Sequence, residues 1–127
     1  MKEVRDKLAC TVAVDFDGVI HNWAGAYEPP NDPPIPGAIE ALKKLVDDGR
    51  RVIIFTARCS CLDQDHPTIS NQTIEIKHWL SRNGAEKGTH YHDVVGCKPV
   101  AAVYVDDRAI RFSDWDSALG QISDFII

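Results

Sequence analysis

The stretch Thr11-Val12-Ala13-Val14-Asp15-Phe16-Asp17-Gly18-Val19 decides how the chain is to be read. Residues 11–14 form a short, β-branched, largely apolar run with no polar alternation, as in a strand buried on both faces. It stops at an acid, and Asp17-Gly18 is turn chemistry. The same pattern returns downstream: Arg51-Val52-Ile53-Ile54-Phe55 runs into Thr56-Ala57-Arg58, and Val100-Ala101-Ala102-Val103-Tyr104-Val105 runs into Asp106-Asp107-Arg108. A weaker strand is read at residues 91–95, ahead of Lys98.

Helical spacing fills the intervals. Ile39, Leu42, Leu45 and Val46 share one face, with Pro36 near the first turn and Gly49 placed to stop the helix. Ile69, Thr73, Ile76 and Leu80 mark a second helix to Arg82, with Trp79 packed beside them and Asn83-Gly84 as the stop. Ser113-Asp114 has the chemistry of an N-cap for a last helix, which Gly120 is expected to shorten or interrupt. Phe125-Ile126-Ile127 is expected to dock on the core. Strands alternating with helices predict an α/β fold: one three-layer, Rossmann-like domain over residues 1–127, with a mostly parallel central sheet and flanking helices. Residues 21–36 carry Pro29, Pro30, Pro33, Pro34 and Pro36 together with Trp23 and Tyr27, so they are expected to form a stiff loop or flap.

Composition narrows the function classes. At 127 residues, 44% apolar and 26% charged, the chain matches a soluble globular domain. Its formal charge of -5 has the wrong sign for tracking a nucleic-acid backbone, so extended nucleic-acid binding is not expected. No apolar run approaches the roughly 20 residues of a bilayer span. The polar start Met1-Lys2-Glu3-Val4-Arg5-Asp6-Lys7 lacks an export signal, which predicts a cytoplasmic protein whose Cys10, Cys59, Cys61 and Cys97 are thiols. Cys59-Ser60-Cys61 with His66 lacks the paired-ligand gap of most zinc knuckles and reads as a loop. The five histidines show no paired spacing on one helix and read as surface residues.

In a parallel sheet all carboxyl ends lie on one side, and ligands bind in the crevice beyond them. That places Asp15, Asp17, Asp106, Asp107, Thr56 and Lys98 around one site. Four carboxylates so gathered repel one another unless a cation enters, and hard oxygen donors select Mg²⁺. A phosphate fits beside it, balanced by the cation, Lys98 and Arg58. Arg108 either contacts substrate or pairs with a neighbouring acid. Two carboxylates one residue apart allow one to attack phosphorus while the other handles the leaving-group proton.

Taken in order, Asp15-Phe16-Asp17-Gly18-Val19, Thr56 at a strand end, Lys98 and Asp106-Asp107 resemble the four motifs of the haloacid dehalogenase-like (HAD) superfamily, over residues 10–108. The resemblance implies a phosphatase that hydrolyses phosphomonoesters through an aspartyl-phosphate. Asp15 would be the nucleophile and Asp17 the acid/base, its backbone carbonyl also on Mg²⁺. Asp106 would be the other protein ligand, and Asp107 a ligand directly or through water. Thr56 would hold a phosphoryl oxygen, and Lys98 would neutralise nucleophile and phosphate.

Neither interval in which that superfamily inserts a cap is long enough here, which implies a capless member with an open site, to be covered by an oligomer or partner if at all. Thr56-Ala57-Arg58 and Asp106-Asp107-Arg108 are also similar to phosphatase domains of polynucleotide kinases. The substrate classes expected are therefore a nucleic-acid end, a nucleotide or another phosphorylated molecule. The alternative is a non-enzymatic phospho-acceptor or phosphate-binding regulatory module. Receivers place their acid pair first and the lone acceptor later, the reverse of the order here.

Overall fold

A computed structural model describes residues 9–23, 30–59 and 69–125. Four strands, β1 (Thr11–Asp15), β2 (Arg51–Phe55), β3 (Asp93–Val95) and β4 (Val103–Val105), make one sheet in the order β3-β2-β1-β4, and every pairing is parallel. Among the described residues the helices α1 (Ala38–Asp47), α2 (Ile69–Arg82) and α3 (Trp115–Phe125) accompany them. This is the Rossmann-like α/β arrangement expected from the alternation of strand and helix signals.

The chain steps from β1 to β2 to β3 in one direction, so right-handed crossovers put α1 and α2 on the same face. The core reflects this: Val12, Val14, Val52 and Ile54 from one face of the sheet cluster with Leu42 of α1 and Ile76, Trp79 and Leu80 of α2. Ala13, Ile53 and Phe55, which point to the other face, are buried as well, which is why β1 and β2 carry no polar alternation. β4 is then laid on the far side of β1. The strand order therefore reverses at β1, and the crevice opens between the carboxyl ends of β1 and β4.

Several boundaries differ from the sequence expectation. β1 includes Asp15, whose partner in register is Phe55. β3 begins only at Asp93, because Tyr91 is held outside the sheet in an isolated bridge with Lys87, where its carbonyl accepts the Gly88 N–H (2.7 Å). β4 begins at Val103 rather than Val100: Pro99 has no N–H to give a ladder, and its carbonyl accepts the Tyr104 hydroxyl (2.6 Å). α3 runs through Gly120 without interruption. Asp114 caps it, its Oδ1 accepting the Ser117 N–H (2.8 Å), and a helical glycine costs only about 1 kcal/mol.

Cys97 is disulfide-bonded, which corrects the reading of all four cysteines as thiols; which sulfurs meet is decided by loop placement in the fold, not by sequence spacing. His21 is buried rather than superficial, at 1% exposure. The Cys61–His66 segment, Tyr27 and the two terminal isoleucines lie outside the described residues. Among the described residues no helix is long and apolar enough to cross a membrane.

Candidate active site

The register of the sheet builds the site. Val14 pairs with Val105, so the next residues along each strand, Asp15 and Asp106, are neighbours at the carboxyl edge. Across the other side of β1, the Phe16 N–H donates to the Phe55 carbonyl (3.0 Å), which carries Thr56 alongside. Oxygens of Asp15, Asp106 and Asp107 all lie within 4.8 Å of one another. Ligands around an octahedral Mg²⁺ at about 2.1 Å are roughly 3 to 4.2 Å apart, so small side-chain rotations bring these three oxygens onto one ion. The donor set is all carboxylate, the hard kind that suits magnesium.

The electrostatics agree. The Asp15 carboxyl is raised from 3.8 to about 7, first by burial and then by the charges of Asp106 and Asp107, with Asp17 adding a little and a Phe16 backbone hydrogen bond offsetting part. A cation among the three acids offsets the repulsion from Asp106 and Asp107.

Gly18 makes room for the third acid. Its φ is +86°, in the region that disfavours side chains, and a Cβ there would collide with the Asp107 carboxylate. Gly18→Ala is therefore expected to cost about 1–2 kcal/mol of stability in urea unfolding, from backbone strain. It should also lower Mg²⁺ affinity severalfold by pushing Asp107 aside. Gly49, at φ +84° with open space around its Cβ position, is the control. Gly49→Ala should show a similar stability loss with Mg²⁺ binding unchanged.

A cavity of about 430 Å³ opens beside the acids, lined among others by Asp15, Thr56, Cys97, Lys98, Asp106 and Arg108. Thr56 is 2% exposed; its Oγ1 accepts the Arg58 N–H (3.1 Å), which leaves its own O–H to donate. Lys98 Nζ stands 3.8 Å from Asp106 Oδ2 and 4.4 Å from the Tyr104 ring centroid. Arg108, whose N–H donates to Asp106 Oδ1 (2.9 Å), lies with its guanidinium 5.5 Å from the Trp23 ring centroid. Trp23 thus brings the described start of the 21–36 segment against a pocket-lining residue.

One residue expected to balance the phosphate is placed differently. Arg58 does not line this cavity: its side chain is 1% exposed and holds the Asp17 carboxylate, Nε to Oδ2 at 2.7 Å and Nη2 to Oδ1 at 3.1 Å. The Asp17 carboxylate that Arg58 holds lies outside the three-acid cluster, and His21 Nδ1 lies 2.9 Å from its Oδ1. Sequence reasoning missed the His21–Asp17 pair; their spacing of four residues across a Gly-containing turn was the available signal.

No family model and no curated protein matches the chain. Among solved structures it is similar to a conserved protein from Bacteroides thetaiotaomicron, with a TM-score of 0.54 and 23% identity, over 94% of this chain and 93% of that one. It is also similar to the D,D-heptose 1.7-bisphosphate phosphatase from B. bronchiseptica complexed with magnesium and phosphate, with a TM-score of 0.45 and 16% identity, over 91% of this chain and 62% of that one. The first likeness shows the fold.

Proposed function

We propose that the chain is a Mg²⁺-dependent phosphohydrolase that cleaves phosphomonoesters through an aspartyl-phosphate on Asp15. The observation that carries this is the convergence of Asp15, Asp106 and Asp107 at adjacent strand ends, beside a cavity that Thr56 and Lys98 also line. Asp15 and Asp106 would hold the ion with the Asp17 backbone carbonyl, and Asp107 would complete the set. When bound, Mg²⁺ supplies charge neutralisation for a phosphoryl group.

An Asp15 oxygen attacks phosphorus as the bond to the leaving oxygen breaks, and Asp17 gives that oxygen its proton. Water then attacks the aspartyl-phosphate, the electron pair returns to Asp15, and Asp17 takes the water's proton. Thr56 O–H donates to a phosphoryl oxygen, while Lys98 balances phosphate charge. The motif order, which resembles the HAD-like superfamily, agrees with these roles.

The test is p-nitrophenyl phosphate turnover with and without Mg²⁺, together with calorimetric Mg²⁺ titration at pH 8 and pH 6. Turnover should vanish in EDTA and return with Mg²⁺. Because the metal-free Asp15 carboxyl titrates at about 7, it is mostly ionised at pH 8 and mostly protonated at pH 6, so apparent Mg²⁺ affinity should fall about tenfold over that interval. Turnover indifferent to EDTA, or none on any phosphomonoester, would refute the assignment.

A further inference from the structure

The Asp17 side chain is held by two groups that the reaction above does not use. Arg58 grips both of its oxygens, at 2.7 and 3.1 Å, and His21 Nδ1 reaches Oδ1 at 2.9 Å. His21 Nε2 accepts the Asp32 N–H (3.1 Å), so Nε2 carries no proton and Nδ1 is the donor to Asp17. Both clamping side chains are 1% exposed.

Both are also mounted on the residue between the two acids. The His21 ring stacks on Phe16 with centroids 5.1 Å apart and 9° between planes, and the Arg58 guanidinium carbon lies 6.0 Å from the same ring centroid. Trp79 meets Phe16 and His21 edge-on, at 5.2 Å from each. Arg58 itself follows directly from the strand end that carries Thr56, whose hydroxyl oxygen accepts its N–H.

The count of bonds selects one atom. Among the described residues Oδ1 accepts from Arg58 Nη2 and His21 Nδ1, filling its two lone-pair directions, whereas Oδ2 accepts only from Arg58 Nε. We infer that Arg58 and His21 are positioning residues that orient Asp17 so that Oδ2 takes the proton of the water that hydrolyses the aspartyl-phosphate. This rests on the phosphohydrolase assignment and adds to it the groups that govern its second step. In that step the water oxygen bonds to phosphorus, the P–O bond to Asp15 breaks with its electron pair returning to the carboxylate, and the proton passes to Asp17 Oδ2. The products are inorganic phosphate and the free Asp15 side chain.

The experiment is rapid-quench kinetics of the full chain with Mg²⁺ and p-nitrophenyl phosphate, whose leaving group needs no proton. In Arg58→Met the first step should persist and the second should slow. The expected result is a burst approaching one p-nitrophenolate per chain, a hydroxylamine-labile phosphoprotein, and steady-state turnover lower by up to about a hundredfold. Arg58→Lys, which keeps the buried charge and hence the fold but loses the two-oxygen grip, should show the same burst with a smaller loss. His21→Phe, which keeps an aromatic ring on Phe16, should do likewise. A fall in turnover without a burst in all three variants, or unchanged turnover, would overturn the positioning role while leaving the phosphohydrolase assignment intact. Absence of turnover by the unaltered chain would overturn both.

Discussion

Asp15→Asn is expected to lower phosphomonoester turnover by at least about three orders of magnitude, because an amide at that position can neither attack phosphorus nor return an electron pair. The same substitution should make the metal-free protein more stable at pH 8. In the folded chain the Asp15 carboxyl holds its proton up to about pH 7, against an ordinary 3.8, so the folded state binds more protons than the unfolded one across that interval. Stability from this group therefore declines as pH rises from about 4 to 7, and the loss is complete above it. Asn carries no charge for Asp106 and Asp107 to repel. Thermal melts in EDTA at pH 8 should show Asp15→Asn melting higher than the unaltered chain, and the gap should close at pH 4. A variant that melted lower at pH 8 would argue against the crowding of acids described above. The combination of lost turnover and gained stability separates a functional carboxylate from a structural one, whose removal lowers both.

Trp79→Ala is expected to be the most damaging single change to the fold. The side chain is 1% exposed, its Nε1 donates to the Asp32 carbonyl (2.8 Å), and its ring packs edge-on against both Phe16 and His21. Truncating a buried Trp costs about 3–5 kcal/mol, a large part of the roughly 5–15 kcal/mol that holds a domain folded. Urea unfolding should therefore shift to much lower midpoints. Trp79→Phe keeps most of the apolar contact and loses the hydrogen bond, so it should cost far less, on the order of 1–2 kcal/mol. Equal losses in the two variants would mean that the bond to Asp32, not packing, is what Trp79 contributes.

Much of this was legible from local signals. β2 and α2 occupy the residues that apolar runs and helical spacing marked, since Arg51–Phe55 and Ile69–Arg82 are long or regular enough for their own pattern to dominate. Gly49, read as the stop of α1, takes the left-handed conformation such a stop requires. The gathering of Asp15, Asp106 and Asp107 followed from strand ends in a parallel sheet, without any knowledge of side-chain direction. Side-chain direction is what stayed hidden. Whether Arg58 faces the cavity or turns beneath Phe16 depends on the 3-10 turn over Ala57–Cys59, and no periodicity reports that choice. His21 looked superficial because no histidine shares a paired spacing with it on one helix; its burial comes from packing against Phe16 and against Trp79, far along the chain. The run-through of Gly120 in α3 shows the opposite limit, a local breaker outweighed by a capped helix around it.

The placement of β4 next to β1 also bears on how the molecule is assembled. β1 is near the beginning of the chain and β4 near its end, so the three acids meet only after almost the whole polypeptide has been ordered. Closing so long a loop is slow and entropically costly, and a partially folded chain holding only β1, β2 and β3 has a single member of the trio. A divalent cation that prefers the complete trio would thus favour the finished sheet by mass action, acting as a ligand for maturation as well as for the proposed chemistry.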